Sequence, residues 1–235
     1  MTDKIMKHQT IKIITDHKQE VIAQAPVVIS ASRATDIPAF YADWFFGRLG
    51  KGYVRWRNPF NGKDSYVSFA NTRFVVFWSK NPAPLIPHLH ILRESGIGCY
   101  VQYTLNDYEK DGFEANVPAL QLRIDTFKRL VDTLGEGSVV WRFDPLVLTD
   151  TVSEESLLEK IDNIAKCLCG HTEKLVFSFA DIASYKKVGK NLIKAGIKYK
   201  EWDNESMLSF AKKLSKLNAS WGLSLIHISE PTRPY

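Results

Sequence analysis

The chain has 235 residues, of which 45% are hydrophobic, 24% charged and 12% aromatic. These fractions are typical of a globular protein, and they exclude a disordered, a collagen-like or a disulfide-scaffold chain. The 31 basic and 26 acidic residues give a net charge of +5, a mild excess that is compatible with an anionic ligand but selects no partner.

The sequence shows none of the patterns that export or anchor a protein. Met1–Gln9 is polar and charged and lacks the apolar core of a signal peptide. Apolar runs such as Phe74–Trp78 cover about five residues, whereas a bilayer needs about 20. The three cysteines, Cys99, Cys167 and Cys169, are an odd number at spacings unlike a disulfide framework. We therefore expect a cytoplasmic protein of bacterial type without membrane contact.

Two segments have the pattern of β-hairpins. Thr10–Thr15 and Glu20–Gln24 flank the polar segment Asp16–Gln19, which predicts an N-terminal hairpin extension over residues 1–24. Tyr53–Arg57 and Ser65–Phe69 flank an Asn-Gly turn signal, which predicts a second hairpin inserted in the main fold.

Outside the hairpins, strand and helix patterns alternate. The predicted strands are Pro26–Ser30, Phe74–Trp78, Gly98–Leu105, Ser138–Phe143 and Glu173–Phe179, with a sixth beginning in Trp221–Ile226. The predicted helices cover residues 38–49, 85–95, 119–134, 153–168 with Ser153 as N-cap, 185–195 and 205–217. Short connections between alternating elements predict right-handed βαβ units and a parallel sheet. We therefore predict an α/β fold over residues 25–223, an incomplete TIM-barrel-like sheet of five to six strands where a closed barrel needs eight.

Polar side chains follow every predicted strand of this sheet. Because the chemistry of β/α barrels takes place at the carboxyl ends of the strands, we expect these side chains to gather at one mouth. The candidates are the cations Arg33, Lys80 and Arg142, the carboxylates Asp36, Asp144 and Asp181, and the uncharged Thr35, Asn81, Gln102 and Thr104. Burying mixed charges costs several kcal/mol per ion unless they are paired, so the pattern favours a functional mouth over a structural ion-pair network.

Several of these residues also have a purely structural interpretation. Arg33 and Asp36 fit the cap of the helix that begins near Pro38, and Asp144 before a proline fits a turn. Cys167 and Cys169 point about 200° apart on a helix, so we predict thiols and no metal site there.

Six separated motifs resemble a bacterial family known as domain of unknown function 1848. They are Ser30–Tyr41, Arg57–Phe60, Val76–Pro82, Gln102–Leu105, Trp141–Pro145 and Phe177–Asp181. The resemblance covers the chain from about Ala25 to Gly222 and implies a β/α-barrel-like protein. Members of that family have a C-terminal cysteine cluster similar to the iron–sulfur motif of radical S-adenosylmethionine enzymes. The resemblance therefore implies a [4Fe–4S] cluster and S-adenosylmethionine as cofactors of full-length relatives.

The chain departs from the family in its cysteines. It contains no C-x-x-x-C-x-x-C motif, and three thiolates on one loop are what such a cluster needs, so no cofactor is expected in this chain itself. From Ser224 onward the sequence stops following the family pattern and is similar to translated adapter read-through. We therefore expect residues 224–235 to be foreign, and the chain to be C-terminally truncated and inactive by itself.

Three functions compete on this basis. The first is the N-terminal barrel part of an iron–sulfur radical enzyme, whose cations bind the carboxylate or phosphate of a small-molecule or nucleotide-like substrate. The second is a cluster-free hydrolase or lyase that uses Asp36, Asp144 or Asp181 for general acid/base catalysis. The third, ranked last, is a nucleic-acid-binding module built on the Arg55–Arg57 hairpin strand. The oligomeric state is not predicted.

Overall fold

The computed structural model describes residues 9–32, 35–58, 61–184 and 186–228. It divides into two compact units, residues 1–101 and 102–235. The strands are β1 (Thr10–Ile14), β2 (Glu20–Gln24), β3 (Val28–Ser30), β4 (Tyr53–Arg57), β5 (Asp64–Ser68), β6 (Phe74–Ser79), β7 (Gly98–Thr104), β8 (Val139–Leu146), β9 (Leu148–Thr149), β10 (Lys174–Phe179), β11 (Tyr199–Lys200) and β12 (Ser224–His227). The helices are α1 (Ile37–Phe40), α2 (Ala42–Gly50), α3 (Leu89–Glu94), α4 (Leu120–Leu134), α5 (Glu154–Leu168), α6 (Lys186–Lys194) and α7 (Asn204–Asn218), with a 3₁₀-helix at Ala83–His88. None of these helices is long and apolar enough to cross a bilayer.

Six strands form one parallel sheet in the order β12-β10-β8-β7-β6-β3. β3 pairs in parallel with β6, with Val28 opposite Phe74. β8 pairs in parallel with β10, with Trp141 opposite Leu175. The predicted α/β fold with a parallel sheet of five to six strands is confirmed, and the predicted sixth strand is β12. Closure of this sheet into a TIM-like barrel stays a prediction.

In the first unit, the two predicted hairpins join into one four-stranded sheet of order β1-β2-β5-β4. β1 pairs with β2 and β4 with β5 in antiparallel fashion, as expected of hairpins. β2 and β5 pair in parallel through Gln24 and Val67. The sequence did not predict this junction because it joins strands that are far apart in the chain through a single pair of residues.

The first predicted helix is two helices, α1 and α2, separated at Tyr41. Tyr41 has φ −137° and ψ 27°, which lies outside the helical region and ends α1. Asp36 caps α1, because its carboxylate accepts from the backbone N–H of Ala39 at 3.0 Å. The predicted capping role of Asp36 is therefore confirmed. α2 buries Phe45 and Phe46, whose rings pack edge to face at 5.4 Å.

In the second unit, α4, α5 and α7 each bury an apolar face, as their helical periodicity predicts. Trp141 and Phe143 of β8 and Leu175 of β10 are fully buried. Ser153 is the N-cap of α5, as predicted, and its hydroxyl accepts from the backbone N–H of Ser156 at 3.2 Å. The antiparallel pair β9 and β11 was not predicted, because two-residue strands show no alternation.

β12 lies in the segment that the sequence analysis assigns as foreign. Ser224–His227 pairs in parallel with Lys174–Phe177 of β10. Residues 229–235 of the same segment lie outside the described residues. The assignment of residues 224–235 as a foreign tail stays a prediction, as do the domain boundaries 1–24 and 25–223.

Candidate functional site

Four polar side chains lie together towards the carboxyl ends of three neighbouring strands in the second unit. Gln102 lies on β7, Arg142 and Asp144 on β8, and Ser178 on β10. We refer to these four residues as the Asp144 cluster. In parallel α/β sheets, this end of the strands is where ligands bind.

Hydrogen bonds join the four members of the Asp144 cluster. The Arg142 guanidinium donates from Nη1 to Gln102 Oε1 at 3.1 Å and from Nη2 to Asp144 Oδ2 at 2.5 Å. The other carboxylate oxygen, Asp144 Oδ1, accepts from the hydroxyl of Ser178. Charge-assisted bonds of this kind fix both the position and the plane of the carboxylate.

The alternation of β8 explains why these side chains share one face of the sheet. Trp141 and Phe143 point into the core and are completely buried. Arg142 and Asp144 therefore point to the opposite face, since successive side chains of a strand alternate.

The cluster combines a buried cation with a carboxylate that solvent reaches. The side chain of Arg142 is 8% exposed and that of Asp144 is 26% exposed. An ion taken out of water costs several kcal/mol unless it is paired, and Arg142 is paired with Asp144 and Gln102. A carboxylate has about four lone-pair sites, so Asp144 accepts these bonds and retains the chemical capacity to accept from a ligand.

The loop between β7 and α4 supports the cluster from behind. Asn106 is fully buried, donates from its side-chain amide to the carbonyl of Asp144 at 3.2 Å, and accepts from the Asp144 N–H at 3.0 Å. The hydroxyl of Tyr108 donates to the carbonyl of Pro145 at 2.9 Å and accepts from the N–H of Val147 at 3.1 Å. Burial raises the pKa of the Tyr108 hydroxyl well above its usual range. The Asp144–Pro145 peptide bond is cis.

Two ionic contacts anchor this loop to the helices of the second unit. Arg123 of α4 lies 3.1 Å from Glu114, and both side chains are fully buried. Arg123 Nε and Nη1 have no hydrogen-bond partner among the described residues. Lys160 of α5 donates to the carbonyl of Asp107 at 2.7 Å and lies 2.9 Å from the Asp111 carboxylate. The loop is therefore held at several points.

Two further candidates also belong to the second unit. Thr104 ends β7 and is partly exposed. Asp181 is exposed, and it accepts from the N–H of Ser184 at 3.0 Å and from its hydroxyl at 2.6 Å. The Ser184 hydroxyl holds the pKa of Asp181 below its usual range. The structure thus gives Asp181 a turn-closing contact just before α6.

The candidates of the first unit form a second, smaller set. Asp36 accepts from the N–H of Lys80 at 3.0 Å, so it links the start of α1 to the end of β6. The N–H of Asn81 donates to Ser79 at 2.9 Å. Thr35 is exposed. Arg33 lies outside the described residues, and the convergence of this set with the Asp144 cluster at one mouth stays a prediction.

Three residues of the site, Ser178, Asn106 and Tyr108, were not predicted from the sequence. Ser178 precedes the last residue of β10, and strand alternation would have placed it on one face of that strand. Asn106 follows β7 at the position where the other strands also become polar. The role of Tyr108 could not be predicted from the sequence, because its hydroxyl contacts Pro145 and Val147, which are far from it in the chain.

The thiols of the chain do not fit an iron–sulfur cluster. Cys99 is partly buried, whereas Cys167 and Cys169 are exposed, and all three are free. Within the described part of the chain, no group of three or more His, Cys, Asp or Glu side chains is arranged to hold a metal ion. No step of a reaction is therefore assigned to a cluster on this chain.

Fold and cluster together define an α/β protein with a polar site at the carboxyl ends of parallel strands. The chain belongs to the family described as Domain of unknown function (DUF1848), whose model matches residues 28–233. The predicted family resemblance is confirmed, and the match runs to residue 233 rather than to Gly222. No curated protein and no solved structure matched the chain.

Proposed function

We propose that this chain is the substrate-binding part of an iron–sulfur, S-adenosylmethionine-type radical enzyme, without the segment that binds the cluster. The assignment to the radical enzymes rests on the family resemblance of the six motifs, because other members of that family have a C-terminal cysteine cluster. On this proposal the isolated chain binds a polar small molecule and has no turnover of its own.

The observation that supports a binding role is the Asp144 cluster. A partly exposed carboxylate is fixed by Arg142 and Ser178 and by the backbone contacts of Asn106. A carboxylate held in this way accepts a hydrogen bond from a hydroxyl or amine of a ligand without first losing side-chain freedom. S-adenosylmethionine offers both groups, in its ribose and its α-amino group.

The same geometry supports a second candidate, a cluster-free hydrolase or lyase. Asp144 is partly exposed at the end of a strand, which is the position of a general base in many α/β enzymes. In that case Asp144 removes a proton from a bound water or substrate carbon, and activity persists without any thiol cluster.

Binding of S-adenosylmethionine to the purified chain, measured by isothermal titration calorimetry, tests the proposal. Asp144→Asn and Ser178→Ala are expected to weaken binding roughly tenfold or more, as for a lost hydrogen bond to a charged group. Asp125→Asn is the matched control, because Asp125 is exposed on α4 and distant in sequence from the cluster strands. Native secondary structure of each variant is checked by circular dichroism.

The radical assignment has its own test in a longer family member that contains the cysteine cluster. Purified without oxygen, it is expected to be brown and to cleave S-adenosylmethionine. A reconstituted member that binds no iron, or a chain whose affinity is unchanged in Asp144→Asn, overturns the proposal. Turnover that persists after removal of the cysteines favours the hydrolase or lyase instead.

A further inference from the structure

We propose that a cavity in the first unit binds a nucleoside monophosphate. The cavity has a volume of about 260 Å³ and lies between the β1–β2 turn, α2, β4 and β5. Its lining includes Asp16, Trp44, Arg48, Tyr53, Arg55 and Tyr66. The site does not depend on the proposed function above, because all of its residues belong to the first unit.

The cavity contains an arginine that is already fixed in place. The Arg48 guanidinium lies 4.5 Å from the centroid of the Tyr53 ring, and its Nε donates to the Tyr53 carbonyl at 3.0 Å. Its Nη1 donates to Asp16 Oδ2 at 3.0 Å. Tyr53 is itself buried, and its hydroxyl accepts from the Asp16 N–H at 2.7 Å. The Arg48 side chain is therefore ordered before a ligand binds, so binding costs little side-chain entropy at this position.

The charges around Arg48 leave a positive excess. Asp16 Oδ2 accepts from Arg48 and also from Lys51, at 3.3 Å. One carboxylate therefore faces two cations. The Arg48 bond holds the pKa of Asp16 below its usual value, so this carboxylate stays paired with its cations at neutral pH.

Arg55 adds a second unit of positive charge. The nearest carboxylate, Asp64, accepts from Arg57 through both of its oxygens, at 2.8 and 3.2 Å. Arg55 lies 3.9 Å from the same carboxylate, which is beyond hydrogen-bond distance. Because Arg57 neutralises Asp64, the charge of Arg55 is not balanced by that carboxylate. It adds to the single positive charge that remains among Arg48, Lys51 and Asp16. The resulting net charge is about +2, to which Lys51 contributes from outside the lining residues. It is opposite in sign and similar in size to the charge of a phosphate monoester, about −1.5 to −2 at pH 7.

Aromatic side chains form the other part of the lining. Trp44 is 47% exposed, whereas Tyr66 is partly buried and its ring lies 6.3 Å from the Tyr53 ring, so Trp44 is the more accessible aromatic side chain of the lining. Purine and pyrimidine bases stack on such rings with little preference for one base. The volume of about 260 Å³ lies just below the range of about 300–1,000 Å³ typical of pockets for drug-sized ligands, so the cavity has room for at most one nucleotide.

Calorimetric titration of the full chain with adenosine monophosphate tests this inference. Arg55→Ala and Trp44→Ala are each expected to weaken binding roughly tenfold, by loss of a phosphate contact and of a stacking surface. Trp56→Ala is the matched control, because Trp56 is also 47% exposed and lies on β4 but does not line the cavity. Its affinity is expected to stay within about twofold of the original chain.

Titrations with three further ligands separate the contribution of the base from that of the phosphate. Adenosine and inorganic phosphate are each expected to bind at least roughly tenfold more weakly than the monophosphate, because each retains only one half of the contacts. A short single-stranded oligonucleotide is expected to compete through its terminal phosphate and to need Trp44. Binding that needs Trp56 and not Trp44 assigns the ligand to the open hairpin surface and overturns the inference.

Two further results also overturn it: no heat of binding at millimolar monophosphate, or native affinity in Trp44→Ala. Thermal unfolding of each variant shows whether the first unit is still folded, and Tyr66→Phe, which keeps the ring, is expected to retain binding within about threefold. Because Asp144 does not line this cavity, failure of nucleotide binding is distinguishable from failure of S-adenosylmethionine binding at the Asp144 cluster.

Discussion

Asn106 and Asp144 exchange two hydrogen bonds, one in each direction, between a side-chain amide and a backbone peptide. The Asn106 amide donates to the Asp144 carbonyl at 3.2 Å, and its oxygen accepts from the Asp144 N–H at 3.0 Å. The Asn106 side chain thus supplies both hydrogen-bond partners of a β8 residue, at the point where the register between β8 and β10 is irregular. The position of the catalytic candidate Asp144 therefore depends on a residue of the preceding loop.

Asn106→Ala is expected to lower the free energy of unfolding by about 2–4 kcal/mol, because a backbone donor and a backbone acceptor lose their partners. Chemical unfolding in urea measures this change. Asn163→Ala, at an exposed position of α5, is expected to stay within about 0.5 kcal/mol of the original chain. Equal stability of the two variants would contradict the bridge.

Arg123→Met is expected to destabilise the second unit by about 3–5 kcal/mol, because it leaves the fully buried Glu114 carboxylate without its cation. The double variant Arg123→Met, Glu114→Gln removes both charges and keeps an oxygen for the Tyr108 N–H. It is expected to recover at least about half of the loss. A double variant as unstable as Arg123→Met alone would show that packing, rather than the charge, dominates at this position.

Asp16 gives the first unit a pH dependence of known sign. The hydrogen bond from Arg48 lowers the pKa of Asp16 below its ordinary value of 3.8. A lowered pKa means that the folded state binds a proton less readily than the unfolded state, so the contribution is complete above about pH 5 and is lost as the pH falls through the folded value. The stability difference between the original chain and Asp16→Asn is therefore expected to shrink as the pH falls below about 4. A difference that grows on acidification would contradict the pairing.

Burial raises the pKa of the Cys99 thiol to about 11. Because the thiolate is the reactive form, alkylation of Cys99 by iodoacetamide at pH 8 is expected to be roughly a hundredfold slower in the folded chain than in urea. The exposed Cys167 and Cys169 are expected to react first. Mass spectrometry of the digested protein assigns each site, and Cys99→Ser identifies its peptide; rapid labelling of Cys99 in the folded chain would contradict its burial.

The sequence predicted the strands and helices well where one element has one repeating pattern. The apolar run Phe74–Trp78 is β6, and the Ser153 cap begins α5 as expected. The break at Tyr41 and the pairing of β2 with β5 were missed. Both depend on how segments pack after they form, and local periodicity contains no information about that step.

The candidate site was predictable only where it depends on the alternation within single strands. Arg142 and Asp144 follow from strand alternation, and Gln102 lies on the adjacent strand β7. Their direct contact through the Arg142 guanidinium required the register of the sheet. Asp181 had the same signal as Asp144, but its carboxylate is taken by Ser184 three residues later, a local turn that competes with any ligand.

Asp36 serves two segments with one short side chain. Its Oδ1 accepts from Ala39 in α1, and its Oδ2 accepts from Lys80 beyond β6. Asparagine is isosteric but would place an NH₂ opposite one of these donors, while alanine would release both segments at once. An exchange of one carboxylate oxygen for nitrogen at position 36 is therefore enough to break one of the two links without changing the shape of the side chain.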